Sequence, residues 1–300
     1  MAAQRPLPPL PPLQRVDARA WRCIDFLSDL HLQASEPDNF KAWAQHMAST
    51  PAQAVFILGD LFEVWVGDDV LASNSGAFER ECVAVLQQAA QRLSLFWLCG
   101  NRDFLTAEGF AKAAQLRALP DPCLLQMAEQ TVLLSHGDRL CLDDHDYQQF
   151  RQEVRTTAWQ QAFLARPLSE RQAIAQGLRQ QSKHRKQSGV SYADVDSDAA
   201  RHWLSQAKAQ VLLHGHTHRP ADHDLGESLV RRVLSDWDAA ATPPRAQVLR
   251  LDAAGVRGAG IVGAGLEQFF EAILAVDRHD LVTDVLGHRV ERNGKIDADL

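Results

Sequence analysis

Short apolar runs recur along the chain, and five of them are closed directly by turn residues and polar side chains. These runs occupy residues 24–27, 55–58, 95–98, 131–134 and 211–213. Apolar runs of this length, followed by turn residues, are typical of buried strands in an α/β core. Helical periodicity lies between some of them, over Ala77 to Arg92 and over Thr106 to Leu116. Strands that alternate with helices predict a sheet whose faces are covered.

The pattern changes over about residues 147–208. Helical sequence extends from Tyr147 to Ser188, and a further helix is predicted over Ala199 to Lys208. The segment is basic, and its apolar stripe includes Trp159 and Phe163. Such an insertion beside a site predicts a cap over the substrate. A solvated helical pair packed on the core is the alternative, and a basic amphipathic face is also suited to an anionic membrane surface.

The two ends of the chain differ from the middle. Residues 1–20 are rich in proline, which favours polyproline II and predicts a disordered arm without a secretory signal. Closing strands are predicted between Leu229 and Leu251, which places the main domain at 21–252. Residues 253–300 form a C-terminal extension in which no chemistry is predicted. No apolar run approaches the ~20 residues that span a bilayer.

Charge and cysteine content narrow the class of protein. The 300 residues carry a formal net charge of −7, which argues against nucleic-acid binding by the whole chain. The five cysteines are scattered and lack CxxC spacing, so free thiols in a reducing compartment are expected. We therefore expect a cytoplasmic protein with no nucleic-acid ligand. No obligate protein partner is evident from the sequence.

The polar blocks after the five apolar runs contain metal-ligand side chains. Because chemistry in an α/β core gathers at strand ends, these side chains are expected to meet on one rim. The candidate ligands are Asp29, His31, Asp60, Asn101, His136, His216 and His218. Oxygen and nitrogen donors without a thiolate suit two neighbouring divalent ions, which are widely used to hydrolyse phosphate esters. From the residues alone, manganese, iron and zinc all fit.

The spacing within the blocks suggests individual roles. Asp29 and His31 are expected to point the same way, because side chains alternate along a strand end. Asp60 has two carboxylate oxygens and is the expected bridge between the ions. A water held by both metals becomes the nucleophile, so no serine or cysteine nucleophile is required.

The order Asp-x-His, Gly-Asp, Gly-Asn, His and Gly-His-x-His resembles the pattern of the calcineurin-like metallophosphoesterases over residues 22–252. The resemblance implies an α/β fold, a four-layer β-sandwich flanked by helices, here with a helical cap insertion. It assigns one ion to Asp29, His31, Asp60 and His218. It assigns the other to Asp60, Asn101, His136 and His216.

Arg102 stands where most members of that superfamily have a histidine after Gly-Asn. A histidine can protonate a poor leaving group, whereas arginine keeps its proton because its pKa exceeds ~12. Arginine can neutralise charge and hold phosphate oxygens in a fork. Arg102 therefore favours a pyrophosphate substrate, whose leaving phosphate needs no proton; a structural salt bridge is the alternative.

The longer blocks, such as Gly59-Asp60-Leu61-Phe62-Glu63 and Gly100-Asn101-Arg102-Asp103-Phe104, are similar to the UDP-2,3-diacylglucosamine pyrophosphohydrolases of lipid A biosynthesis. The resemblance implies two Mn²⁺ per chain and water attack on the α-phosphate. The products would be UMP and 2,3-diacylglucosamine 1-phosphate (lipid X), made by a peripheral protein at the cytoplasmic face of the cell inner membrane. It implies catalytic roles for Asn101, Arg102 and His136, and substrate contacts by Asn101, Arg102, Asp144, Ser182, Lys186 and His216. The cap asparagine of that family is not found after Ser182.

Three other functions remain open. The chain could be another dimetal phosphoesterase, acting on a soluble nucleotide or a phosphodiester. It could be a non-catalytic scaffold of the same fold, or a membrane-binding module that uses only the basic cap.

Overall fold

The computed structural model describes residues 5–127, 130–187 and 193–252, with side chains of 181–187 excluded, and the backbone of Gly255–Gly260, Val282–Thr283 and Arg289–Val290. The strands are β1 Arg15–Asp17, β2 Cys23–Leu27, β3 Ala54–Leu58, β4 Ser94–Leu98, β5 Arg117–Ala118, β6 Cys123–Gln126, β7 Thr131–Leu134, β8 Val211–His214, β9 Ala221–Asp224, β10 Val230–Val233, β11 Gln247–Asp252 and β12 Gly255–Gly260. The helices are α1 Pro37–Ser49, α2 Ala77–Ala90, α3 Glu108–Ala113, α4 His145–Val154, α5 Thr157–Leu164, α6 Leu168–Gln187 and α7 Ser197–Ala207. Among the described residues, no helix combines the length with the apolar character that a membrane span requires.

These twelve strands form two six-stranded mixed sheets, and Val282–Thr283 and Arg289–Val290 pair as a separate two-stranded antiparallel sheet. The first has the order β12-β11-β2-β3-β4-β5, and the second has the order β1-β6-β7-β8-β10-β9. In the first sheet β2 to β5 are parallel, and β11 pairs antiparallel with β2. In the second sheet β7, β8 and β10 are parallel. The carboxyl ends of each parallel group therefore meet at one edge of its sheet.

Apolar side chains fill three spaces between the layers. The sheets face each other across a core in which the Phe56 and Phe96 rings stack at 4.5 Å between centroids. Helices α1 to α3 cover the outer face of the first sheet, where Trp43 is fully buried. Helix α7 covers the outer face of the second sheet with Trp203 and Leu204. The four-layer α/β sandwich expected from the sequence is confirmed.

The elements predicted from periodicity are largely present. The five apolar runs correspond to β2, β3, β4, β7 and β8, and the helix predicted from Ala77 is α2. The helix predicted over Thr106 to Leu116 is shorter, because the chain leaves the helix at Ala114 and Gln115 adopts a φ of 54°. The predicted helical stretch after Tyr147 is broken into α4, α5 and α6.

The predicted disordered arm is wrong for residues 5–20. Strand β1 pairs with β6, and Val16 and Ala18 are buried. Leu10 and Leu13 pack against the core beneath α7, and Trp203 Nε1 donates a hydrogen bond to the Pro8 carbonyl at 2.9 Å. The apolar residues between the prolines supply these contacts, and an extended proline-rich segment leaves its carbonyls free to accept. Residues 1–4 lie outside the described part.

The structure also changes the expected outlines of the cap and the domain. Helix α7, expected within the insertion, packs on the second sheet instead. Helices α4 to α6 remain as the insertion, and we call them the cap. Strand β12 adds to the first sheet beyond the expected boundary at residue 252. The remaining domain boundaries stay predictions.

Candidate metal centre

The two sheets bring the seven predicted ligands to one rim. Those of the first sheet follow β2, β3 and β4, and those of the second sheet follow β7 and β8. Backbone hydrogen bonds join neighbouring loops: Asp29 N donates to the Gly59 carbonyl at 3.1 Å, and His31 N donates to the Asp60 carbonyl at 3.0 Å. The convergence predicted from strand ends is therefore present in the structure.

Five of the seven candidate ligands have a left-handed backbone. Their φ angles are 55° at Asp29, 50° at His31, 52° at Asp60, 67° at His216 and 53° at His218. This conformation is uncommon for residues other than glycine and costs about 1 kcal/mol or more at each position. The expected alternation of Asp29 and His31 along a strand is wrong, because β2 ends at Leu27. Their side chains converge because of the left-handed turns.

Glycines allow the loops to approach the two central carboxylates. A Cβ at Gly100 would lie 2.1 Å from Asp60 Oδ1. A Cβ at Gly215 would lie 2.2 Å from Asp29 Oδ2. Any side chain at either position would displace a carboxylate from the rim.

The first group of donors consists of Asp29, His31 and His218. Asp29 Oδ1 lies 3.3 Å from His218 Nε2 and 4.0 Å from His31 Nε2, and the two Nε2 atoms are 3.3 Å apart. Asp29 Oδ1 is buried and has no hydrogen-bond partner among the described residues. A buried, unpartnered carboxylate oxygen facing two imidazole nitrogens fits a divalent cation.

The second group contains Asp60, Asn101, His136 and His216. Asn101 Oδ1 lies 2.9 Å from His136 Nε2 and 2.8 Å from His216 Nδ1, and Asp60 Oδ2 lies 3.6 Å from His136 Nε2. His136 Nδ1 faces the Leu58 carbonyl at 2.9 Å, which places the ring proton on Nδ1 and leaves Nε2 available to a metal.

Asp60 is not the only carboxylate close to both groups of donors among the described residues. Asp29 can group with Asp60 and His136 as well as with His31 and His218, since ligand atoms within each trio lie within 4.8 Å of one another. From the sequence, Asp60 was the one carboxylate expected to bridge the two ions. Asp29 is therefore a second carboxylate close to both groups.

The charges of the site suit metal binding. Burial lowers the pKa of His31 to about 4, and burial together with neighbouring His136 lowers the pKa of His216 to about 4. Both rings are thus held neutral, which is the form that binds metals. Burial also acts on His136, but Asp60, Asp29 and Asp138 outweigh it and raise its pKa to about 9. Without a metal, Nε2 of His136 therefore carries a proton as well, and a metal ion bound there would take the place of that second proton.

The predicted substrate contacts have different placements. Arg102 N donates to Asp60 Oδ1 at 2.8 Å, and its guanidinium Nε lies 3.9 Å from Asp60 Oδ2. Asp144 is the N-cap of α4, where its side chain accepts a hydrogen bond from Tyr147 N at 3.3 Å. Ser182 and Lys186 belong to α6, but their side chains lie outside the described residues.

Buried carboxylates hold the loops and the cap around the site. Asp103 accepts from Gly100 N at 2.7 Å and from Leu61 N at 2.8 Å, which joins the loops after β4 and β3. Asp138 accepts from Arg151 Nε at 2.8 Å and from the Tyr147 hydroxyl, both on α4. The cap is thereby tied to the loop that follows His136.

Three residues near the metal ligands were not predicted. Glu63 Oε2 lies 3.2 Å from His31 Nδ1, Asp236 Oδ2 lies 3.6 Å from His218 Nδ1, and the Tyr147 ring centroid lies 5.8 Å from that of His216. Asp236 follows β10, so the strand-end argument could have found it. Tyr147 comes from the cap, and no local pattern connects it with the rim.

The chain matches known proteins over most of its length. Residues 24–220 match the calcineurin-like phosphoesterase family. A UDP-2,3-diacylglucosamine hydrolase of Aromatoleum aromaticum is 45% identical over 236 residues, covering 77% of this chain and 93% of that protein. Proteins of the same name from Chromobacterium violaceum and Stenotrophomonas maltophilia are 42% and 40% identical, covering 78% and 77% of this chain and 97% and 95% of their own. This chain therefore belongs to the calcineurin-like phosphoesterases and, among them, to the UDP-2,3-diacylglucosamine hydrolase family.

Proposed function

We propose that this protein hydrolyses the pyrophosphate bond of UDP-2,3-diacylglucosamine, releasing UMP and 2,3-diacylglucosamine 1-phosphate (lipid X) for lipid A biosynthesis. The observation that carries the proposal is the convergence of metal-binding groups on one rim beside a helical cap. The relative that is 45% identical and carries the hydrolase name supports the choice of substrate.

We further propose two Mn²⁺ ions per chain. The support is the presence of two groups of donors, with carboxylate, amide and imidazole ligands and no thiolate. Bound there, the ions would supply an activated water and neutralise charge on the attacked α-phosphate.

The protein's own groups would orient the reaction. The Leu58 carbonyl fixes the His136 ring, and Asn101 lies between His136 and His216. The Arg102 side chain is 27% exposed, and although its Nε is buried, part of the side chain remains accessible to phosphate oxygens. Because arginine does not give up its proton at neutral pH, it cannot act as a general acid. The role of Arg102 would be to hold the pyrophosphate and neutralise its charge.

The cap would bind the lipid part of the substrate. The Trp159 and Phe163 rings stack at 4.8 Å between centroids, and Phe104 lies 6.2 Å from Trp159. We assign the acyl chains to this aromatic cluster, and Asp144, Ser182 and Lys186 to the polar part of the substrate. Exposed Phe150 and Leu164 on the cap support a peripheral position at the inner membrane.

The test is UMP release from UDP-2,3-diacylglucosamine by metal-stripped protein, with and without added Mn²⁺. Asp60→Asn removes a central ligand charge, and Asp38→Asn on the exposed surface of α1 is the matched control. We expect Mn²⁺-dependent release by the wild type and the control, and nearly complete loss in Asp60→Asn. Activity on an aryl phosphodiester without UMP release would indicate another phosphoesterase, and Mn²⁺ binding without any hydrolysis would indicate a scaffold.

A further inference from the structure

Glu63 lies beside the metal-ligand candidate His31 because backbone hydrogen bonds join the segments after β2 and β3. Leu32 N donates to the Leu61 carbonyl at 2.9 Å, and Glu63 N donates to the Leu32 carbonyl at 3.2 Å. His31 itself donates to the neighbouring loop, as described above. The main chain therefore holds the backbone of Glu63 beside that of His31, within reach of the imidazole.

One oxygen of Glu63 faces the side of the His31 ring that points away from the metal centre. Oε2 lies 3.2 Å from Nδ1, while Nε2 of the same ring faces His218 Nε2 at 3.3 Å. Nδ1 is buried and has no aligned hydrogen bond among the described residues. When a metal occupies Nε2, the ring proton resides on Nδ1, where the carboxylate can accept it as a hydrogen bond.

The other oxygen of Glu63 pairs with the cap. Oε1 contacts the guanidinium of Arg179 on α6, and the Glu63 and Arg179 side chains are only 12% and 18% exposed. Shielding from water strengthens such a pair relative to one on the surface. Arg171, eight residues earlier on α6, pairs with Asp69 and donates to the Val66 carbonyl. Two arginines of α6 thus attach the helix to the loop after β3.

We propose that Glu63 is a positioning residue that couples the metal centre to the cap, orienting His31 with one oxygen and seating α6 through Arg179 with the other. The proposal rests on metal binding at this site, which the proposed function also requires. With a metal bound at Nε2, Nδ1–H of His31 would be a stronger donor and would hold the carboxylate in the position that Arg179 contacts. By thermodynamic linkage, a seated α6 raises the affinity for the metal by the same factor.

The first test is Mn²⁺ affinity, measured by calorimetric titration of the metal-stripped full chain. Glu63→Gln keeps the shape of the side chain but removes its charge, and we expect at least about a tenfold loss of affinity. Arg179→Met should cause a smaller but measurable loss, although Arg179 is not one of the seven candidate ligands. The controls are Glu170→Gln and Arg166→Met, an exposed ion pair between α6 and the turn that precedes it, and both should leave Mn²⁺ affinity unchanged.

The second test is amide hydrogen exchange of α6 with and without Mn²⁺. We expect Mn²⁺ to slow exchange in the wild type and in both controls, and to have no such effect in Glu63→Gln or Arg179→Met. If Arg179→Met kept the wild-type Mn²⁺ affinity and the wild-type slowing of exchange in α6, the coupling between cap and metal centre would be overturned. The same result in Glu63→Gln would overturn the positioning role of Glu63. UMP release without this coupling would overturn this inference alone. Coupling without UMP release would overturn only the proposed substrate.

Discussion

The backbone of Gly100, which precedes the ligand candidate Asn101, lies directly against the carboxylate of Asp60. This close contact limits which residues can occupy position 100. The Cβ of an alanine would lie 2.1 Å from Asp60 Oδ1 and 2.5 Å from its backbone nitrogen. Since the backbone nitrogen cannot rotate away, either the Asn101 loop or the Asp60 loop must shift.

We therefore expect Gly100→Ala to reduce Mn²⁺ affinity at least about tenfold, because shifted ligands no longer converge. Metal titration followed by calorimetry measures this loss. Gly177→Ala is the matched control, since no heavy atom lies within 4 Å of its added Cβ. In that helical position alanine should leave metal affinity unchanged and raise stability by up to about 1 kcal/mol. Unchanged affinity in Gly100→Ala would mean that the loops adjust without cost.

Arg102 distinguishes substrate binding from metal binding. Arg102→Met should lower kcat/KM for the pyrophosphate substrate by about a hundredfold, or roughly 3 kcal/mol, because a charged group on the phosphate is lost. Mn²⁺ affinity should change little, since the backbone nitrogen of residue 102 still donates to Asp60. Steady-state kinetics and metal titration together provide the test. Unchanged kcat/KM would assign Arg102 to a structural ion pair with Asp60.

The sequence predicted the seven candidate ligands because each block follows a strand and strand ends converge in such folds. Their backbone conformation could not be predicted, since nothing local marks Asp29 or His31 as left-handed. The Glu63–Arg179 pair was also missed, although Glu63 lies within a recognised block. Its partner comes from a helix more than a hundred residues later, and no periodic signal connects the two.

At the scale of elements, the buried Asp25 connects its own strand, β2, with strand β11 and helix α1. Arg250 of β11 donates to both of its oxygens, at 2.7 and 2.8 Å, and Thr50 Oγ1 donates at 2.5 Å. His46 of α1 lies 3.2 Å from Oδ2. Burial opposes the charge, but Arg250 and His46 outweigh it and lower the pKa of Asp25 from 3.8 to about 2.

This shift predicts a pH-dependent contribution to stability. A carboxyl whose pKa is lower in the folded state stabilises the protein above pH ~4, and that contribution disappears as the pH falls through about 2. The destabilisation caused by Asp25→Asn should therefore shrink by about 2 kcal/mol between pH 6 and pH 2. Urea unfolding of both proteins across this range measures it. A difference independent of pH would show that the pairing with Arg250 does not stabilise the charged form.

Element boundaries were predictable where the pattern was long and local. Helix α2 has four buried positions at helical spacing, so its limits were nearly correct. Strand β1 has only three residues, and it is ordered by pairing with β6 more than a hundred positions later. A proline-rich stretch favours extended structure locally, but whether that structure is free or docked depends on tertiary contacts that composition does not encode.

At the scale of the whole molecule, the N-terminal segment covers one edge of the second sheet. Removal of residues 1–18 would expose the β6 edge and the apolar surface beneath Leu10, Leu13 and Val16. We expect a loss of at least about 2 kcal/mol in the free energy of unfolding, from the burial of Val16 and its neighbours. We also expect self-association through the unpaired edge.

Urea unfolding and light scattering of the shortened protein test this prediction. Removal of residues 1–4 alone is the control and should change neither property. If the longer deletion were as stable and as monodisperse as the control, the segment would be a passive tail, as its composition first suggested.

The metal centre draws its ligands from both sheets, and His31 and His218 are 187 positions apart in the sequence. In an unfolded chain, bringing such distant residues together costs about 5 kcal/mol in loop-closure entropy. The full set of ligands can therefore form only after the two sheets have associated, late in folding. An ion bound by ligands from both sheets would link the two sheets, so the sheets could not separate before the ion dissociated. The lifetime of the folded enzyme should then depend on how fast it loses its metal.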